Sequence, residues 1–452
     1  MSANKHWRYW NRQAVWLLPG LSIKRWIGIS AFGFAFLLIG LALFLNLHPV
    51  SVTIEVFKKL APLVPPVYSG PIMIALGVYL LYLGSQKTYS TVFRAISPRD
   101  PNLLESLYRR QKLDHGPNIV AIGGGTGLST LLRGIKHYTS NITAIVTVGD
   151  DGGSSGRLRL EQGIIPPGDI RNCIAALADE EELITELFQY RFKNGQGLEG
   201  HSFGNLFLTA MCRITGDMVQ AIKESSKVLN IRGRVLPSSL DSICLIADLE
   251  DGREIRGESV IPEAGCRIHR LRCEPQNPQV LPDVVKAIEH AELILLGPGS
   301  LYTSVIPNLL IEPIARAISL SKAPKVYVVN IMTQPGETDG FSVGDHLQAL
   351  LDHAAYPNIV DCVMVNNWLP DGLVEKYQQA HYQPVVLDLE RVREQGVQVI
   401  QKLLVDEADT QVIRHHSKRL ARSIIQWFKR EYRRKQVTEA GTARSEEVAS
   451  SV

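Results

Sequence analysis

Between Val146 and Arg159 the chain reads VTVGDDGGSSGRLR: two adjacent acids, a Gly/Ser loop, then two arginines. Carboxylates repel phosphate, whereas glycine-freed backbone amides and guanidinium groups attract it. A ligand that satisfies both carries hydroxyls or a cation at one end and phosphate at the other. Ahead of this stretch, IGGGTGLS (Ile122–Ser129) sets Gly123, Gly124, Gly125, Thr126 and Gly127 between a strand-like run and a helix-like run. Amides at a helix N-terminus can approach a phosphate closely from such a loop. It is neither standard nucleotide motif. Leu128 stands where the dinucleotide fingerprint wants its third glycine, and the P-loop lysine is absent.

Three further segments belong with these. PPGDIRN (Pro166–Asn172) offers Asp169 as a helix cap, with Arg171 and Asn172 in the first turn. GHSFGN (Gly200–Asn205) brings His201 and Asn205 to another helix start. LLGPGSLYTS (Leu295–Ser304) is a second strand–glycine–hydroxyl loop, with Gly297, Gly299, Ser300 and Tyr302. Tyr302 either stacks on a base or sugar or fills the core. Two such loops in one sheet suit a ligand with two ends, such as a nucleotide diphosphate joined to another group. Asp150 and Asp151 are then expected to accept from sugar hydroxyls or to hold Mg²⁺. Ser154, Ser155, Arg157 and Arg171 are expected to meet phosphates. No HExxH motif or His/Cys metal cluster is present in the sequence. Any chemistry here would be transfer at phosphate by positioning and electrostatics.

The elements that must hold these loops read as an α/β domain. Asn118–Gly124 and Ile142–Gly149 have the apolar runs of strands buried on both faces, with helical spacing from Leu128 to Tyr138 between them. Helical segments follow from Asp169 to Leu229. Ser242–Ile261 alternates around Asp251-Gly252 as a hairpin, and with RIHRLRCEP it makes a small antiparallel section. Strands and helices then alternate from Pro282 onward. The expectation is a Rossmann-like, doubly wound, mostly parallel sheet.

The chain has 452 residues, 45% hydrophobic and 21% charged, with a net charge of +3. That charge is too small to argue for nucleic acid, and no nucleic-acid partner is expected. Six cysteines without a CxxC pair read as reduced and mostly buried. Trp26–Leu47 is a run of 22 residues without a charge, and Leu60–Gln86 is a second, proline-rich in its first half and uncharged. Lys and Arg flank both runs on the outside. The reading is an N-terminal membrane anchor over 1–86, spanning at about 26–47 and 64–84, with the second run alternatively lying in the interface. The expected location is the cell membrane, multi-pass, with the large domain in the cytoplasm. A linker is expected over 87–116, the nucleotide-binding domain over 117–411, a basic helix over 412–435 and a disordered tail over 436–452. The basic helix either docks on the domain or also touches anionic lipid. A homo-oligomer is compatible with all of this.

AIGGGTGLSTLLRGIK, ITAIVTVGDDGGSSGRLR, PPGDIRN, GHSFGN, SKVLNIRGRVLPSS, LLGPGSLYTS and NIMTQPGET together resemble the gluconeogenesis-factor (YvcK) family, a relative of the CofD phospholactate transferases. The likeness runs from about Asn118 to His416. It implies a CofD-like fold, binding of a UDP-sugar such as UDP-N-acetylglucosamine or UDP-glucose, and a role in cell shape and envelope metabolism on gluconeogenic carbon. CofD relatives move a phospholactyl group from a guanosine diphosphate donor with Mg²⁺, and their matching acids map onto Asp150 and Asp151. The alternative function is therefore a Mg²⁺-dependent, CofD-like transferase. The segments GGSSGRLR and PPGDIRN look like the gluconeogenesis-factor branch, which favours a binding regulator. The N-terminal hairpin departs from the simplest members.

Overall fold

The computed structural model describes residues 23–44, 66–96, 111–179, 181–405 and 412–431. The chain divides into two units, Met1–Arg109 and Arg110–Val452.

In the larger unit seven parallel strands form one sheet. They are β1 (Ile119–Gly123), β2 (Ile142–Val146), β3 (Arg234–Pro237), β7 (Leu293–Leu296), β8 (Lys325–Val328), β9 (Cys362–Asn366) and β10 (Gln398–Lys402). Their order across the sheet is β10-β9-β8-β7-β1-β2-β3. Every residue of β1, β2, β7 and β8 is buried. That is why these segments read as continuous apolar runs: helices cover both faces of the sheet. The chain begins in the middle at β1, builds outward through β2 and β3, then returns beside β1 at β7 and builds outward the other way. The loops after β1 and β7 therefore diverge at a topological switch point, where open α/β sheets leave a crevice. Ile122 lies opposite both Ile145 and Leu296, which brings the ends of β1, β2 and β7 level.

The Gly125–Ile135 helix buries Leu128, Leu131, Leu132 and Ile135, the i, i+3, i+4, i+7 stripe of a helix packed on a sheet. On its other side Gly134 lies so close to the Ser417 carbonyl that a side chain there would collide with it. Residues 417–431 form a helix that buries Leu420, Ala421, Ile424, Ile425 and Phe428 in the core. The basic helix expected over 412–435 thus starts later and is docked on the domain, while residues 412–415 are extended and serve the cleft below. The small antiparallel section is a sheet of β4 (Cys244–Leu249), β5 (Glu254–Arg256) and β6 (Ile268–Glu274), with β4 in the middle. Arg272 crosses from β6 to grip Asp248 at 2.6 and 2.8 Å and Glu254 at 2.8 Å.

The N-terminal unit contains two helices, Ile23–Phe44 and Pro66–Ile96, packed on each other. Glycines set their approach: a Cβ on Gly33 would lie 2.7 Å from the Leu81 nitrogen, and one on Gly77 would lie 2.7 Å from the Leu37 nitrogen. Phe32, Ile72 and Tyr82 point outward. Among the described residues no helix is long and apolar enough to cross a membrane, so the two transmembrane helices expected from the sequence are not borne out. Of the expected linker, residues 87–96 continue the second helix and 97–110 lie outside the described residues, as does the expected tail.

Candidate functional site

The two glycine–hydroxyl loops meet at the switch point. The Gly297 amide donates to the Ile122 carbonyl at 2.8 Å, so the second loop leaves the sheet beside the first. The glycines of the first loop are there for different reasons. Gly125 has φ +62°, a left-handed conformation that glycine adopts without strain. Gly124 and Gly127 are glycine because other chain segments crowd them. A Cβ on Gly124 would lie 2.5 Å from Asp169 Oδ2 and 2.6 Å from Thr147 Cγ2. One on Gly127 would lie 2.8 Å from the Gly299 nitrogen and closer still to the Pro298 carbonyl.

Between the loops opens a cleft of about 700 Å³. Its lining includes Gly124, Gly125, Thr126, Gly127, Asp150, Asp169, Asn172, Gly299 and Ser300 from the sequence-predicted set. A smaller chamber of about 280 Å³ shares Asp150, Asp169 and Asn172 with it and adds Ser154, Ser155, Arg171 and Asn205. Gly123 and Gly297 are strand ends that shape the loops and line neither space.

The carboxyl groups divide sharply. Asp150 takes the Gly152 N–H at 3.0 Å and faces the cleft. Asp169 accepts from the Gly125 backbone, but burial and the neighbouring Asp150 push its carboxyl up to about 6. Glu258, which the sequence did not single out, also lines the cleft; burial, Asp150 and Asp169 push it up to about 8. Asp151 does not share this role. Its two oxygens accept the backbone N–H groups of Ser259 at 2.9 Å and Glu258 at 3.1 Å. The expected pair of adjacent acids on a ligand or Mg²⁺ is thereby split: Asp150 faces the cleft, and Asp151 is spent on the backbone of the Glu258 loop. Among the described residues no three His, Cys, Asp or Glu side chains converge as a metal site.

Other predicted residues serve structure. His201 is buried, and its Nδ1 sits 2.9 Å from Ser154 Oγ. Burial, followed by the Arg157 charge, holds its pKa down. Asn205 Nδ2 donates to the same Ser154 hydroxyl at 3.0 Å. Arg157 is exposed and donates to the Glu199 carbonyl at 2.8 Å, lining neither space. Tyr302 is a correction to the stacking reading. It is 2% exposed, wedged edge-on between Phe341 and His353, and burial pushes its hydroxyl up to about 12. The π-helical turn Leu301–Val305 aims it into the core.

The far wall of the cleft comes from residues the spacing argument missed. Ser300 Oγ accepts from Gln334 Nε2 at 2.7 Å, and Asn330 Nδ2 donates to Gln334 Oε1 at 3.3 Å. Asn330, Thr333 and Gln334 lie within NIMTQPGET, a motif with no glycine–hydroxyl signature. Tyr377, Tyr382, Arg414 and His415 close the lip. The two tyrosine rings are 5.5 Å apart in an edge arrangement. Burial drives His415 down to about 4, so it is neutral. Glu337, 5% exposed behind this wall, is pushed up by burial to about 7 although it accepts from the Tyr302 backbone and the Thr303 side chain. These residues are remote in sequence from the loops; only the fold brings them together.

The family model described as 2-phospho-L-lactate transferase CofD matches residues 119–405. A relative from Nostoc sp. (strain PCC 7120) is 50% identical over 424 residues, covering 92% of this chain and 93% of that protein. The gluconeogenesis factor of Bacillus subtilis is 49% identical over 314 residues, covering 69% of this chain and 98% of that protein. The Nostoc likeness therefore extends beyond the CofD-type segment, whereas the Bacillus one covers a smaller share of this chain. The crystal structure of a UPF0052-family protein from Bacillus halodurans superposes with a TM-score of 0.66 at 50% identity, covering 69% of this chain and 99% of that one. With its parallel sheet, its two loops at the switch point and these matches, the chain belongs to the gluconeogenesis-factor family of CofD-type proteins.

Proposed function

We propose that this protein is a UDP-sugar-binding regulator, with UDP-N-acetylglucosamine or UDP-glucose as its ligand, acting on cell shape and envelope metabolism. The observation that carries the reading is the facing pair of glycine–hydroxyl loops across one cleft, with carboxyl groups on its floor. The amides and hydroxyls of Gly125–Thr126 and Gly299–Ser300 suit the diphosphate. Asp150 and Asn172 suit sugar hydroxyls. Tyr377, Tyr382 and Arg414 suit the base and its ribose at the lip. A cleft of about 700 Å³ lies in the range of small-molecule sites. We also propose that the N-terminal helix pair tethers the protein at the cell membrane, supported by its outward-facing Phe32, Ile72 and Tyr82.

A transferase is the second reading. It is favoured by Asp169 and Glu258, whose pKa values of about 6 and about 8 put a proton donor and acceptor beside the cleft near neutral pH. Titrating the full chain calorimetrically with UDP-N-acetylglucosamine, UDP-glucose and GDP, with and without Mg²⁺, separates the two. Stable binding of a UDP-sugar that is recovered intact supports the regulator. Mg²⁺-dependent consumption of a guanosine-diphosphate-linked donor supports the transferase. A folded sample that binds no nucleotide overturns both. For the tether, recovery of the full chain with the membrane fraction after alkaline carbonate washing is the expected result.

A further inference from the structure

The chamber beside the cleft is chemically unlike it. It is lined by Ser154, Ser155, Arg171, Arg191 and Asn205, and it adjoins the N-terminus of the ten-residue Gly153–Gln162 helix. Arg171 is 9% exposed, and it donates to neutral acceptors: Ser202 Oγ at 2.5 Å and Asn172 Oδ1 at 2.9 Å. Its Nε is buried and donates to nothing. Arg191 likewise donates to a neutral acceptor, the Gly200 carbonyl, at 2.9 Å. The two guanidinium groups are close enough that the Arg191 charge, after burial, helps to push Arg171 below its usual pKa. Asn205, 2% exposed, leaves its buried Oδ1 unpartnered. A buried cation with an unused N–H and no directly paired carboxylate is costly unless an anion completes it.

The opposing charges are Asp150 and Asp169, which stand on the wall shared with the cleft. Two full positive charges and a helix N-terminus worth roughly half a charge outweigh at most two carboxylates. The margin widens as pH falls through about 6, where Asp169 takes up its proton. Gly153, at φ +48°, has no atom within 4 Å of where a Cβ would stand, so the helix start is open toward the chamber.

We propose that this chamber is a second anion subsite, which binds a phosphoryl group while the neighbouring cleft holds its nucleotide sugar. The phosphoryl group is either free phosphate or the end of a small phosphorylated metabolite. The two-ligand aspect rests on the nucleotide-sugar reading of the cleft; the oxyanion site itself does not. Ser154, Ser155 and the helix amides donate to the oxygens, Arg171 offers its unused Nε, and Asn205 Oδ1 accepts from a protonated phosphoryl oxygen.

The test is calorimetric titration of the full chain with inorganic phosphate and with glycerol phosphate, each alone and with saturating UDP-N-acetylglucosamine. Both should bind whether or not the nucleotide sugar is present. Tighter binding of glycerol phosphate than of phosphate assigns the site to a metabolite, and equal binding assigns it to free phosphate. Arg191→Ala and Arg191→Glu, at an exposed position that does not line the cleft, should weaken phosphate by roughly tenfold or more and leave UDP-N-acetylglucosamine within about twofold. No phosphate binding, displacement of phosphate by the nucleotide sugar, or an Arg191→Glu variant that binds phosphate normally would each overturn the proposal. Phosphate binding that depends on Arg191 in a protein that ignores UDP-N-acetylglucosamine would sink the reading of the cleft and leave the chamber standing.

Discussion

Asp151 holds the loop that carries Glu258, accepting the Glu258 N–H at 3.1 Å with one oxygen and the Ser259 N–H at 2.9 Å with the other. Gly257, at φ +109°, permits this approach; a Cβ there would lie 2.7 Å from the same carboxylate. Asp151 is thus a latch between the segment after β2 and the segment after β5. Removing it by Asp151→Ala leaves two amides without their charged acceptor. We expect a loss of about 2 kcal/mol, or roughly 5 °C in Tm, together with weaker nucleotide-sugar binding as Glu258 loses its position. Asp150→Asn should weaken binding at nearly unchanged Tm. Thermal melts and calorimetry on the two variants distinguish latch from ligand contact.

The carboxyl groups on the cleft floor make stability pH-dependent in a definite direction. Asp169 and Glu258 titrate at about 6 and about 8 in the fold, against ordinary values of 3.8 and 4.5. Both are raised, so each binds its proton more tightly when folded. Their contribution is fully present below the ordinary values and is lost as pH rises through the folded ones. Asp169→Asn and Glu258→Gln should therefore match wild type near pH 4. Above pH 8 they should be more stable than wild type, by about 1–3 kcal/mol each. Chemical denaturation across pH 4–9 measures this; variants no more stable at high pH would refute it.

The fold was legible because strands buried on both faces announce themselves as unbroken apolar runs, and βα alternation then dictates a parallel sheet. Asn118–Gly124 and Ile142–Gly149 are of this kind. The direction of single side chains was less legible. Tyr302 and Asp151 have the right residue types beside the right loops, yet a π-helical turn and a backbone latch turn them away from the cleft. Asn330, Gln334, Tyr377 and Arg414 were hidden for the opposite reason: their own segments carry no local sign of a ligand, and tertiary structure alone assembles them.

The Gly127 contact turns this distinction into a measurement. If its role were ligand approach alone, a methyl group would touch only the ligand. Instead a Cβ would press on Pro298 and Gly299 and wedge the two switch-point loops apart. Gly127→Ala should cost about 1–3 kcal/mol from overpacking even without ligand, and should also reduce binding. Unchanged apo stability with reduced binding would return Gly127 to a purely ligand-facing role.

Tyr302 and Arg414 form a matched contrast. Tyr302 is 2% exposed among Phe341 and His353, so Tyr302→Ala should cost about 3–5 kcal/mol of stability. Tyr302→Phe keeps the ring packing and should leave nucleotide-sugar binding nearly intact. Arg414 stands at the lip of the cleft. Arg414→Ala should weaken binding by roughly tenfold or more, as expected when a charged donor to a ligand is lost. A Tyr302→Ala variant that keeps its stability but loses nucleotide-sugar binding would restore the stacking role.

The N-terminal helix pair depends on glycine in a way that can be tested apart from the nucleotide site. Gly77 faces the backbone of the first helix, where a Cβ would meet the Leu37 nitrogen at 2.7 Å and the Gly33 carbonyl oxygen at 2.8 Å. Backbone atoms cannot step aside as side chains can, so Gly77→Leu must push the helices apart. Gly28, on the first helix, has nothing within 4 Å of where a Cβ would stand, and a substitution there should be tolerated. A pair of cysteines placed across the contact between the two helices should report the separation by cross-linking, with yield falling in Gly77→Leu and holding in Gly28→Ala. Nucleotide-sugar binding should be the same in both, because the larger unit has its own core. If the packed pair is what holds the protein at a membrane, Gly77→Leu should also shift the full chain toward the soluble fraction. Unchanged cross-linking would show that the glycine contact does not set the helix spacing.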